Sequence, residues 1–198
     1  MSQTDIWAVS PSTSATYYRA AASVAGAGAL TLLTKDGGPT GVGYKVIITS
    51  SGVDTGITFT IVGTPVGGDP NHAPVTEVLT GASASSVTST NFFANIVSIT
   101  ASGAAAGTVA IGTTGSLALP RCRVRGVYYV GAASAGTIVL NSNATSGTQL
   151  LRVDTPATAT WAAHLLLPGE GILTERSTGS DFAIVTLTQV SLITLFCS

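Results

Sequence analysis

Ile57-Thr58-Phe59-Thr60-Ile61-Val62 decides the fold. Side chains alternate along an extended backbone, so Ile57, Phe59 and Ile61 fall on one face and Thr58 and Thr60 on the other. That is the pattern of a half-buried strand. Upstream, Tyr44-Lys45-Val46-Ile47-Ile48-Thr49 alternates in the same way and stops at Ser50-Ser51-Gly52. Downstream, Val66-Gly67-Gly68-Asp69-Pro70-Asn71 is a turn by composition. Val75 to Thr80, Phe92 to Thr100 and Thr108 to Gly112 then read as further strands. Their spacing is that of a sandwich or barrel.

Gly112-Thr113-Thr114-Gly115-Ser116 reads as a linker, and Leu119-Pro120 opens a second set of strands. Arg121 to Val130 is predicted to be a strand with Cys122, Val124, Tyr128 and Val130 inward. Thr137 to Leu140, Gln149 to Val153, Thr160 to Leu167, Gly171 to Thr174, Phe182 to Leu187 and Val190 to Phe196 follow. In Thr160 to Leu167, the residues Trp161, Ala163, Leu165 and Leu167 share a face that can supply a core. The expected fold class is all-β. Two small antiparallel β-sandwich or jelly-roll-like domains are expected at 29–117 and 118–198, preceded by an extended N-terminal arm at 1–28.

Residues 1–24 show no clean period, and Ser10-Pro11-Ser12-Thr13-Ser14 is a breaker cluster. Trp7, Tyr17 and Tyr18 are large aromatics among small residues. Either they belong to an arm that docks on a neighbour, or they form a first strand packed on its own domain. The arm reading predicts that residues 1–18 serve docking rather than folding.

Composition sets the surface. Val78 to Pro120 contains no ionisable side chain, and 9% of the whole chain is charged, against about 25% in ordinary soluble domains. Surface charge keeps proteins apart, so a surface of hydroxyls and small side chains suits contact with other subunits. The net charge is −1, and a nucleic-acid channel would need a basic stripe. The single local cluster of basic residues is Arg121, Arg123 and Arg125, which share a face if the segment is a strand. A solvated face or a subunit contact explains it better than phosphate binding. No apolar run is long enough for a membrane helix. Residues 1–14 are polar, with Asp5 early, unlike a secretory signal.

Catalytic patterns are hard to find. His72 and His164 have no second His or Cys at a metal-ligand spacing. Gly26-Ala27-Gly28 lacks the rest of a dinucleotide loop. Glu170 and Glu175 form no defined facing pair. Asp36 and Asp69 sit in turns without calcium-loop spacing, and Asn143-Ala144-Thr145 is a sequon that matters only on export. Cys122 and Cys197 are too few and too far apart for a disulfide scaffold. They read as two buried thiols or as a pair joining the first and last strands of the second half. No enzyme activity, cofactor or metal is expected.

Several segments resemble β-domains of tailed-bacteriophage virion proteins. In the first half these are Gly56 to Thr64, Val75 to Gly81, Thr90-Asn91-Phe92-Phe93 and Ile99 to Gly103. In the second half, Ser146 to Pro156 and Leu167 to Ile172 are similar to another phage-type β-unit. The resemblance covers the chain from about residue 40 onward, encodes turns and strand faces rather than a reaction, and matches nothing in residues 1–29. It implies a virion component assembled in the host cytoplasm. The expected role is a capsid decoration (cement) protein on the outer shell, with a neck, head-fibre or tail-fibre component as the alternative. The expected partners are copies of the chain itself, as a homotrimer, and the major capsid protein or other virion proteins. Neither nucleic acid nor membrane is expected. The candidate interface residues are Trp7, Tyr17, Tyr18, Arg121, Arg123 and Arg125.

Overall fold

The computed structural model describes residues 5–9, 14–35, 42–66, 73–120, 122–142, 147–158, 161–174 and 182–198. Sixteen strands and no helix occur among them, so the fold is all-β with antiparallel pairing throughout the strand registers. The chain divides into two compact units, Thr13–Thr114 and Met1–Ser12 with Gly115–Ser198.

The first unit holds β2 (Arg19–Ser23), β3 (Gly28–Ala29), β4 (Gly43–Ser50), β5 (Thr58–Pro65), β6 (Val75–Thr80), β7 (Ser86–Thr88), β8 (Phe93–Ala101) and the start of β9 (Thr108–Pro120). The strand order is β9-β4-β8-β5-β6, with β2 on β9, β3 on β8 and β7 on β4. The deciding stretch behaves as its alternation requires. Phe59 and Ile61 are fully buried, and Ile57 packs partly buried against the same cluster. Val46, Ile48, Phe93, Ile96, Ile99, Val109 and Ile111 complete the core, and Tyr18 lies in it with no exposed surface.

For the described residues 14–28 that burial corrects the arm reading in favour of the other one, a segment packed on its own domain. Tyr18 donates its backbone N–H to the Ile111 carbonyl (2.9 Å) and accepts from Leu33 N–H (2.6 Å). Arg19 begins β2 opposite Ile111. Residues 5–9 form β1, which belongs to the second unit and pairs with that unit's last strand. A large aromatic in a small-residue segment can fill its own core as well as a neighbour's, and here Tyr18 does the former.

Arg19 went unnoticed in the sequence. It is only 9% exposed, and β2 carries an extra residue where the register steps from Arg19↔Ile111 to Ala22↔Val109. A bulge interrupts the ladder locally. The guanidinium fills the gap, donating to the carbonyls of Val109, Ala22 (3.1 Å) and Ser23 (3.0 Å). Arg19→Ala is expected to lower stability by about 2–3 kcal/mol, because charged donors leave buried carbonyls behind. The urea midpoint checks this. Arg19→Lys should restore only part of it, since an ammonium lacks the planar fork.

The second unit holds β1 (Asp5–Val9), the end of β9, β10 (Arg123–Gly131), β11 (Gly136–Ser142), β12 (Gln149–Thr155), β13 (Ala162–Leu166), β14 (Ile172–Leu173), β15 (Phe182–Thr188) and β16 (Val190–Cys197). One sheet runs β1-β16-β10-β13 with β14 on β10, and β12-β11-β15-β9 runs in the other. Val124, Val127, Tyr129, Ile193 and Leu195 are the buried row of the first. Leu117, Leu119, Ile138, Leu140 and Val185 are buried in the second.

Residues 112–116 are not a linker. They lie inside the 13-residue strand β9, and the division between units falls within it, between Thr114 and Gly115. Thr suits a strand. Gly112 is there because the backbone of Ser14 and Ala15 crosses it, and a Cβ would strike the Ser14 carbonyl. A glycine inside a strand marks such an approach as readily as a break.

Candidate interaction surface

The inward set predicted for β10 is corrected beyond Val124. β10 pairs with β16 as Val124↔Cys197 and then Gly126↔Phe196, so Arg125 is an extra residue in the ladder. One inserted residue moves everything after it to the opposite face. Val127 and Tyr129 are therefore buried, at 1% and 4% exposure, while Tyr128 and Val130 stay half-buried on the other side. Cys122 is also only partly covered.

That other side is a grid of cross-strand neighbours on β13, β10 and β16. Its rows are Leu166–Gly126–Phe196, His164–Tyr128–Thr194 and Ala162–Val130–Leu192. Leu166 is 71% exposed. His164 and Ala162 are exposed as well, and Tyr128, Val130, Leu192, Thr194 and Phe196 are half-buried. The His164 and Phe196 rings meet at 5.2 Å between centroids, diagonally across Gly126. Gly126 has no side chain to fill the space, and Leu166 and His164 lean over it. The grid contains no Asp, Glu, Lys or Arg.

The expected core face of β13 is also weaker than predicted. Ala163, Leu165 and Leu167 are half-buried, and Trp161 is 41% exposed. Among the described strands β13 is the last of its sheet order, with β10 as its one paired neighbour. The Trp161 ring tilts against Tyr129 at 5.6 Å. Burial pushes the Tyr129 phenol above its ordinary pKa.

The candidate interface residues scatter. Trp7 is in β1, its backbone opposite Leu195, and its side chain lies outside the described residues. Tyr17 is 37% exposed and sets its ring edge-on to Tyr18 at 5.0 Å. Tyr18 is interior. Arg123 pairs with Glu170 at 2.9 Å, an exposed ion pair worth little by itself. Arg125 Nε donates to Ser198 Oγ at 3.0 Å. Arg123 and Arg125 precede the first row of the grid on β10 and stand on its charged rim. Arg121, Asp36, Asp69, His72, Glu175 and the Asn143 sequon lie outside the described residues. The grid itself was missed, although Gly126 inside an apolar strand is the usual mark of a bulge.

Among the described residues no group of three His, Cys, Asp or Glu is placed to hold a metal, and no helix is long and apolar enough to cross a membrane. The sheet face is largely apolar and carries no Asp, Glu, Lys or Arg, with Arg123 and Arg125 ahead of its first row on β10. The chain matches no protein-family model and no curated protein.

Proposed function

We propose that the chain is a structural virion component of a tailed phage: a capsid decoration (cement) protein that sits on the outer capsid surface as a homo-oligomer, a trimer by preference, and has no enzymatic role. The observation that carries this reading is the uncharged grid around Tyr128 and Phe196, on a chain with 9% charged residues. Such a face loses little on desolvation and gains from burying apolar area. A closed cyclic oligomer covers it without running on into a fibre. The resemblance of the strand and turn motifs to phage virion proteins supplies the setting. Copy number in purified particles tests the role. Hundreds of copies per particle support decoration, and a handful supports the neck or fibre alternative.

Self-association is expected to depend weakly on salt, since few charges take part. Sedimentation at low and high ionic strength should show the same oligomer. Leu166→Asp should yield a folded monomer, because Leu166 is exposed and its loss costs the core little. An unchanged oligomer in that variant would move the contact elsewhere on the chain. Dissociation of the parent protein by moderate salt would place the contact on Arg123 and Arg125.

A further inference from the structure

We infer that Cys122 and Cys197 are an oxidisable pair that forms a disulfide stapling the start of β10 to the C-terminal strand. Their Sγ atoms stand 3.1 Å apart although the residues are 75 positions apart in sequence. Cys122 and Cys197 are diagonal neighbours across β10 and β16, since Val124 stands opposite Cys197, and forming the bond draws this sulfur contact in to covalent length.

Both backbones are held. On one side, Arg123 N–H donates to the Ser198 carbonyl (2.9 Å) and Ser198 N–H to the Arg123 carbonyl (3.0 Å). Val124 lies directly opposite Cys197. On the other side Thr174, fully buried, clamps Cys122. Cys122 N–H donates to Thr174 Oγ1 (2.8 Å), and Thr174 N–H donates to the Cys122 carbonyl (2.8 Å). The Thr174 hydroxyl sits 3.7 Å from Cys122 Sγ. A metal would need further ligands around the two thiols, and among the described residues no such group exists.

Access differs between the two. Cys122 is partly exposed and Cys197 is 1% exposed. A small-molecule disulfide therefore meets Cys122 first. The Cys122 thiolate attacks it, a mixed disulfide forms on Cys122, and one small thiolate leaves. The Cys197 thiolate then attacks Cys122 Sγ and expels the second. Two protein thiols are oxidised by two electrons, one external disulfide is reduced to two thiols, and the protons pass to the leaving thiolates. β16 lies between β1 and β10, so the staple fixes an inner strand of its sheet. Phe196, in the first row of the grid, is the adjacent residue.

The inference rests on the cysteine geometry and is independent of the virion reading. The full chain is equilibrated with oxidised glutathione, quenched by alkylation in denaturant and mapped as peptides without reduction. The expected product is a peptide linked through Cys122 and Cys197. Cys197→Ser should trap glutathione on Cys122, and Cys122→Ser should react far more slowly. The oxidised chain should melt roughly 5–15 °C above the reduced chain, as expected for a cross-link closing a long loop. A glutathione adduct that persists on Cys122 of the unsubstituted chain would overturn the inference. So would two thiols still open to alkylation after prolonged exposure, or a linkage between chains. The mapping of the unsubstituted chain decides the matter even where a variant fails to fold.

Discussion

Tyr18→Ala is expected to lower the stability of the first unit by about 3–5 kcal/mol, the range for removing a fully buried aromatic. Tyr18 has no exposed surface and touches the cluster of Phe59, Phe93 and Ile111 as part of one core. Its hydroxyl is buried with no hydrogen-bond partner among the described residues. Tyr18→Phe should therefore be neutral or slightly stabilising, because it removes an unmatched polar group and keeps the ring. Tyr17→Ala removes a 37% exposed ring and should cost within about 1 kcal/mol. Urea midpoints of the three variants form the test. Equal losses for Tyr17→Ala and Tyr18→Ala would return Tyr18 to the surface role first expected of it. The same burial revises the expected result of deleting residues 1–18. That deletion removes a core ring and the β1 pairing with β16, so the fold should suffer, not docking alone.

Alkaline pH is expected to unfold the first unit early. Burial holds the Tyr18 and Tyr44 phenols well above the ordinary tyrosine value, with Tyr17 adding to both and Tyr44 to Tyr18. In the unfolded chain each titrates near 10. Above about pH 10 the unfolded state loses these protons while the folded state keeps them. The unfolded state then binds fewer protons, so stability falls as pH rises, by up to about 1.4 kcal/mol per pH unit for each tyrosine. The contribution is fully present below the unfolded value. By pH 12 the combined loss is on the order of 5 kcal/mol. Stability measured against pH should show this slope, and Tyr18→Phe should remove about half of it. Tyrosinate absorbance should rise together with unfolding. A slope unchanged in Tyr18→Phe and in Tyr44→Phe would mean that neither phenol is sheltered.

Much of the fold was legible because local alternation and burial agree. Ile57, Phe59 and Ile61 alternate in sequence, and the sheet buries that face. Val46 and Ile48 do the same in β4. The strands of the second half were also found close to their places, since Thr, Val, Ile and Leu runs bounded by turn residues leave little choice of element.

The candidate surface was not legible, for a physical reason specific to strands. A period of two carries no memory across an inserted residue. Arg125 is such an insertion, and it exchanged the buried and outward sets beyond Val124. Gly126 marks the strand as one that can bulge, but only the partner strand fixes where the extra residue falls, because a bulge is a mismatch between two registers. Tyr18 posed a similar problem, since its ring fits a core or an interface equally well until a core forms around it. The sequence by itself determined the all-β class, the low charge and the alternating face of β5, all of which are local properties. The tertiary structure alone decided which face of β10 turns outward, where Tyr18 goes, that β9 continues through Gly112 to Ser116, and that Cys122 meets Cys197. Each of these depends on a contact between residues far apart in the chain, and local periodicity holds no information about such contacts.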